Sequence, residues 1–200
     1  MASSYTTNFA IEKPGTGEQS GTWGTTTNHN FDIFYRLAGY KSVTVSGATH
    51  TLTVRPSSPS SGSSNASDGM YRVVEFVDSG SDLGSDVTLT IAPNTTQAFF
   101  IFKNSLTSDR NIIVTQGSGT NVTVPGTGKV SIVYGDGGGS GANMVSLSDT
   151  LAMSNPEITG GSVTNLTELS MVNAAAQVKA QNGLNVDAAG TAVALSIALG

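Results

Sequence analysis

His29 and His50 are the only imidazoles in this chain, and it contains no cysteine at all. Thiolate metal centres, disulfide frameworks and thiol chemistry are thereby excluded. Two histidines without a G-x-S-x-G elbow also supply little for a Ser-His-Asp triad or a His-based metal site, and surface or turn positions are the simpler reading for both. Gly137 to Ala142 spells G-x-G-x-x-A after a strand-like run. The residues that follow, Asn143 to Asp149, lack the helical pattern whose N-terminus would hold a pyrophosphate. Gly128-Lys129-Val130 fails as a phosphate loop because no Ser or Thr follows the lysine to hold magnesium. Asp78, Asp82 and Asp86 flank a Ser/Gly loop, where carboxylate oxygens suit calcium, but their spacing matches no EF-hand and a solvated acidic turn competes. No pair of carboxylates stands out for acid–base work. The expectation is a non-enzymatic chain with no catalytic residues, no metal and no cofactor, calcium at the aspartate loop being the one ion left open.

The surrounding composition points the same way. With 26 Ser, 25 Thr, 24 Gly and 14 Asn, four residue types fill nearly half of the 200 positions, while charged residues make up 12%. An average soluble protein has roughly 25% charged residues. Apolar residues at 38% and a net charge of -5 argue against a disordered chain, which pairs low hydrophobicity with high net charge. Nine Lys and Arg scattered singly form no basic stripe, so no nucleic acid partner is expected. The N-terminus lacks the basic region and apolar stretch of a secretory signal. The longest wholly apolar run, Ala98 to Phe102, is far shorter than the ~20 residues of a spanning helix, and no membrane insertion is expected.

Four segments follow from the patterning. Residues 1–40 read as an irregular arm, rich in turn formers, with a short helix over Asn30 to Leu37 on the spacing of Phe31, Phe34, Tyr35 and Ala38, capped by Asn28 or Asn30. Residues 41–136 hold eight strand-like runs: 42–46, 49–55, 71–78, 86–92, 97–104, 111–116, 121–124 and 129–134. Val87, Leu89 and Ile91 alternate with Thr88 and Thr90, as in a strand buried on one face. The run 98–102, apolar on both faces, belongs in the middle of a sheet. The polar stretch 56–69 reads as an exposed loop and the Gly-rich 137–142 as a flexible linker. Residues 143–200 contain no aromatic side chain and few charges. So short a segment cannot bury enough apolar surface alone, which implies self-association. It forms either a trimeric β shaft or a helix over 166–181, where Asn165 with Glu168 resembles a capping box.

Two stretches carry a resemblance. Pro14-Gly15, then Gly17-Glu18-Gln19-Ser20-Gly21-Thr22-Trp23-Gly24, then the Asn-rich lead Asn28 to Phe34 resemble the opening of fibre-like virion proteins of tailed bacteriophages, especially those of marine bacteria and cyanobacteria. Residues 156–163, PEITGGSV, resemble the entry into the shafts of phage fibres. Together these cover about a fifth of the chain. The resemblance implies a homotrimeric tail fibre, or its virion-proximal part, assembled into virions in the host cytoplasm. It implies docking on other virion proteins, a tail or neck adaptor or the portal region, through Pro14, Gly15, Gly17, Glu18, Gln19, Gly21, Trp23, Gly24, Asn28, Asn30 and Phe31. It implies oligomerisation through Ile158, Val163, Leu166, Leu169 and Val172. Such fibres are often longer and end in a receptor-binding tip, which is not seen here.

The expected fold class is mainly β: a small antiparallel β-sandwich or barrel over 41–136, an irregular arm that orders only on docking, and a trimeric shaft-like segment over 143–200. Trp23 has a competing reading as a ring packed locally in a turn. Alternatives to a tail fibre are a head-attached fibre or capsid decoration protein and, from another class, a carbohydrate-binding host-adhesion module. That module would recognise host surface glycan on Trp23, Tyr40, Tyr71 or Tyr134. A glycan-cleaving enzyme would need a carboxylate pair in a groove.

Overall fold

The computed structural model describes residues 2–126 and 128–147, together with the backbone of two short strands at 178–179 and 185–186. The chain divides into two compact units, residues 1–152 and 153–200. The first begins with a small hairpin, β1 (Ser4–Tyr5) and β2 (Glu12–Lys13), followed by helix α1 (Trp23–Leu37). Nine strands then run in order: β3 (Tyr40–Thr44), β4 (Thr49–Thr53), β5 (Val73–Val77), β6 (Val87–Ala92), β7 (Ala98–Ser105), β8 (Ile112–Thr115), β9 (Val122–Val124), β10 (Val130–Gly135) and β11 (Met144–Ser146). The eight expected runs coincide with β3 to β10, and β7 is the central strand of its sheet.

These strands form a five-stranded sheet, ordered β11-β10-β7-β5-β3, and a four-stranded sheet, ordered β4-β6-β8-β9. Neither closes into a barrel. Consecutive strands alternate between the sheets from β3 to β8, so β3, β5 and β7 lie parallel, as do β4, β6 and β8. This corrects the expected antiparallel pairing, which holds only for β9 with β8, β10 with β7 and β11 with β10. Parallel neighbours need a long return path. Here the strand in the opposite sheet supplies it.

Both sheets bury their inner faces in one core. Phe76, Phe100 and Phe102 from the larger sheet join Leu52, Leu89, Ile91, Ile112 and Val114 from the smaller. Phe76 meets Phe102 edge-on at 5.3 Å, and Phe100 stacks on Phe102 at 4.8 Å, arrangements that add to the area buried. Buried Asn104 donates to the carbonyls of Arg110 and Pro125 and accepts from the Leu106 N–H, fastening the end of β7 to the loop after β9.

Four expectations are corrected within this unit. The arm is ordered in the isolated chain: Ala10, Glu12, Thr26 and Ile33 are buried. Its helix starts at Trp23, with Thr22 as N-cap, so Asn28 and Asn30 lie inside the helix and do not cap it. The Gly-rich stretch 137–142 is a structured turn joining β10 to β11, in which Asp136 accepts from Gly138 N–H, Asn143 N–H and Asn143 Nδ2 at 2.9 Å each. Buried Gln116 reaches this turn through Gly137 N–H, and the backbone of 118–120 pairs along it. The loop 56–69 is not wholly exposed either, since Asn65 and Gly69 are buried.

Two predictions arise here. Gly117 lies so close to the turn that an added Cβ would sit 2.7 Å from the Ser140 carbonyl oxygen and 2.8 Å from the Ala142 nitrogen, both backbone atoms. Gly117→Ala is expected to cost about 1–3 kcal/mol by overpacking, read as a lowered Tm. Ending the chain after residue 152 should leave the melt of the first unit nearly unchanged. Ending it after residue 141 removes β11 with buried Met144 and the Asn143 donors to Asp136, and should cost about 3 kcal/mol or more. Circular dichroism melts of both truncations distinguish these outcomes.

In the second unit, β12 (Val178–Lys179) pairs antiparallel with β13 (Asn185–Val186). This strand replaces the C-terminal end of the helix considered over 166–181. The remainder of that helix, and Ile158, Val163, Leu166, Leu169 and Val172, lie outside the described residues.

Candidate functional site

The residues of the N-terminal motif divide into those that fasten the arm and those that face outward. Thr6 begins the fastening by closing the turn between β1 and β2, with Thr6 N–H donating to Ile11 O and Thr6 O accepting from Ala10 N–H. Glu12 is then carried into a buried position, 4% exposed, where among the described residues no cation pairs with it. Its carboxylate accepts instead from Ser3 Oγ at 2.6 Å, Ser61 Oγ at 2.6 Å, the Gly62 N–H at 3.3 Å and Gln19 Nε2. Burial alone would raise the Glu12 pKa. The donors outweigh it and hold the group below the ordinary carboxylate value.

Asn30 clamps the same residue from α1. Its Oδ1 accepts from the Glu12 N–H and its Nδ2 donates to the Glu12 carbonyl, both at 2.9 Å. The amide side chain thus serves β2 as a neighbouring strand would. The Pro14-Gly15 step leads into a turn in which Glu18 N–H donates to Gly15 O and the Glu18 carboxylate accepts from Gly15 N–H at 3.0 Å. That contact lowers the Glu18 pKa. Gly17 and Gly21 take positive φ of 77° and 83°, a region open to glycine at little cost. Gln19, also at positive φ, bridges Glu12, Ser3, Ser61 and the Thr26 hydroxyl.

The remaining motif residues point away from the body. Pro14 and Asn28 are exposed and Gly24 is partly so. Trp23, the first residue of α1, is 65% exposed, and Phe31, Phe34 and Tyr35 are 61%, 50% and 73% exposed. At about 100° per residue these four rings fall within about a third of the helix circumference. Buried Thr26 and Ile33 hold another side of the helix against the body. A lone exposed aromatic needs no account, whereas four on one face of a helix form an exposed apolar patch.

Phe34 and Tyr35 were not among the expected docking residues, although their i, i+3, i+4 spacing from Phe31 was readable. Glu12, Ser61 and Asn65 carried no such signal, because the contacts that matter join positions about 50 residues apart.

Other candidates resolve differently. Asp78 accepts from Thr107 and Gly80, Asp82 forms a two-point pair with Arg110, and Asp86 accepts from Asn111. Each carboxylate of the calcium candidate is thus engaged by protein donors, and no metal-binding cluster occurs among the described residues. A cleft of about 460 Å³ between the edges β3 and β4 contains His50 and one carboxylate, Asp68, held by Arg36 at 3.2 Å and Lys41 at 3.7 Å. Burial lowers the His50 pKa. A second cleft at the opposite edges has only Asp136. Neither cleft holds the carboxylate pair that glycoside hydrolysis uses.

Of the rings considered as sugar platforms, Trp23 stands apart from Tyr40, and Tyr71 packs against Gly39 next to Tyr40. Trp23 and Tyr40 bracket a helix that is about 22 Å long at 1.5 Å per residue. The Tyr71 ring lies under the Arg36 guanidinium, and Tyr134 sits on β10.

No family model, no curated protein and no solved structure matches this chain.

Proposed function

We propose that this chain is a non-enzymatic structural protein of a tailed-phage virion, a homotrimeric tail fibre or its virion-proximal part. The aromatic face of α1 carries this reading, because its leading ring, Trp23, lies inside the N-terminal motif and is offered to solvent while Glu18 and Asn30 fasten the same motif within the arm and Gln19 ties it to Ser61 of the loop before β5. Docking in this form is geometric. A helix that is already ordered presents its rings without the entropy cost of folding on contact, in place of an arm that orders only on the virion. Gly24 leaves the Trp23 ring without a side chain on its C-terminal neighbour, so a pocket on an adaptor can enclose it.

A head-attached fibre or decoration protein would use the same surface. The carbohydrate-binding reading has less support, since Trp23 and Tyr40 lie at opposite ends of α1. Immunogold labelling of intact particles with antibodies to residues 41–136 tests the assignment: label along the tail is expected, and unlabelled particles would overturn it. Label over the head would select the alternative.

A further inference from the structure

The chain has four arginines, at positions 36, 55, 72 and 110, and two of them show how a guanidinium is satisfied in this fold. Arg110 grips Asp82 through Nε and Nη2, both at 2.8 Å, and Arg36 reaches Asp68 at 3.2 Å. Arg55 directs its terminal nitrogens at the Pro56 carbonyl and the Thr95 hydroxyl. Arg72 pairs with no carboxylate among the described residues. Burial lowers its pKa, and no acid offsets that effect. A cation partly withdrawn from water is ordinarily paired.

What holds Arg72 leaves one edge of it open. Its guanidinium carbon lies 4.8 Å from the centre of the Phe9 ring and 5.1 Å from that of Phe99, and Nη1 donates to the Phe99 carbonyl at 3.1 Å. Ile101 N–H donates to the Arg72 carbonyl, and Asn8 Oδ1 accepts from Gln97 N–H, so arginine and arm are both fastened near the start of β7. Nε and Nη2 have no partner among the described residues and are not sealed from solvent. This is the edge with which Arg110 takes Asp82 at two points, and its planar spacing matches the two oxygens of a carboxylate. Because the rings and the Nη1 bond already fix the guanidinium, little rotamer freedom is left to lose on binding.

We propose that the open edge of Arg72 receives an acidic side chain, aspartate or glutamate, of a protein partner. The guanidinium lies beside the exposed Phe99 ring, and Arg72 lines neither of the two clefts described above. A small carboxylate finds nothing there to enclose it, whereas a protein surface can cover ring and guanidinium together. That this partner is a virion protein rests on the proposed function. The fork itself does not.

The test has two parts. In the first, the arginine Nε–H signals of the full chain, which has only four arginines, are followed by NMR during a sodium acetate titration, with sodium chloride as the ionic-strength control. The Arg72 signal is expected to shift saturably, with half-saturation at about 10–50 mM, while that of Arg110, already paired, stays in place. An Arg72 signal that moves no further with acetate than with chloride overturns the fork. In the second, chains carrying Arg72→Gln or Arg72→Lys are assembled into particles. Lysine keeps a charge beside the rings but cannot offer two parallel donors, so incorporation of both variants should fall about tenfold, with residues 1–20 as resistant to protease as in the wild type. If Arg72→Gln loosens the arm, Arg72→Lys decides. Wild-type incorporation of Arg72→Lys overturns the acidic partner even where acetate binds. Particles that lack the wild-type chain altogether overturn the virion reading, and with it a virion partner, but not the fork.

Discussion

On the proposed docking, Trp23→Ala is expected to cut the affinity of the chain for a virion adaptor about 30-fold while leaving its fold nearly intact. The estimate follows from the ~2 kcal/mol or more that truncating a buried aromatic interface residue typically costs, at 1.4 kcal/mol per tenfold. In the isolated chain the ring is 65% exposed, so little intramolecular packing is lost. The expected change in folding stability is within about 0.5 kcal/mol, as for other surface substitutions. Had Trp23 packed into the β body, the same change would cost about 3–5 kcal/mol. Incorporation of the variant into particles, measured beside its Tm, separates the two roles. A variant that enters particles at the wild-type level would exclude Trp23 from docking, and the aromatic face would then have to act through Phe31, Phe34 or Tyr35.

The second large effect is expected at Glu12. Replacing it with alanine leaves the hydroxyls of Ser3 and Ser61, the Gly62 N–H and the Gln19 amide without their common acceptor. Hydrogen bonds to a charged group contribute about 1.5–3 kcal/mol each, and water entering the vacated space recovers part of that. A net loss of about 3 kcal/mol is expected for the closure of the arm, enough to raise its opening equilibrium about 100-fold. Limited proteolysis gives the readout, with residues 1–20 resistant in the wild type and cut first in Glu12→Ala. Wild-type resistance in the variant would show that Asn30 and the β1–β2 turn hold the arm unaided.

The pH dependence has a definite sign. The folded-state pKa of Glu12 lies below its unfolded value, so its contribution is fully present above the unfolded carboxylate pKa of about 4.3. It fades as pH falls through the lowered folded value. Glu12→Gln should flatten that acid loss, the part due to Glu18 remaining.

Strand positions were legible because the β-branched and aromatic runs are bounded by Gly, Ser, Asn and Pro, and the alternation at 87–92 correctly named Val87, Leu89 and Ile91 as buried. A period of two is a property of the single strand and survives any partner. The start of α1 was not legible. Gly24, Thr25, Thr26, Thr27 and Asn28 are weak helix formers, and the helix extends through them where Thr26 is buried and where Asn30, one turn further on, grips the backbone of Glu12. Those contacts come from residues remote in sequence. The glycines of 137–142 misled for the opposite reason, since their freedom is taken up by Asp136, Gln116 and Asn143 across the turn.

The direction of strand pairing was decided by tertiary structure alone. A run such as 73–77 looks the same whether its neighbour is the next strand in the chain or the one after it, because alternation encodes which side chains are buried and not which backbone they pair with. The residues themselves established a chain of short strands patterned for burial, behind an N-terminal segment bearing a lone tryptophan. That Trp23 joins Phe31, Phe34 and Tyr35 on an outward helix face followed only when alternate strands were sorted into two sheets around the shared phenylalanine core and the arm closed over Glu12.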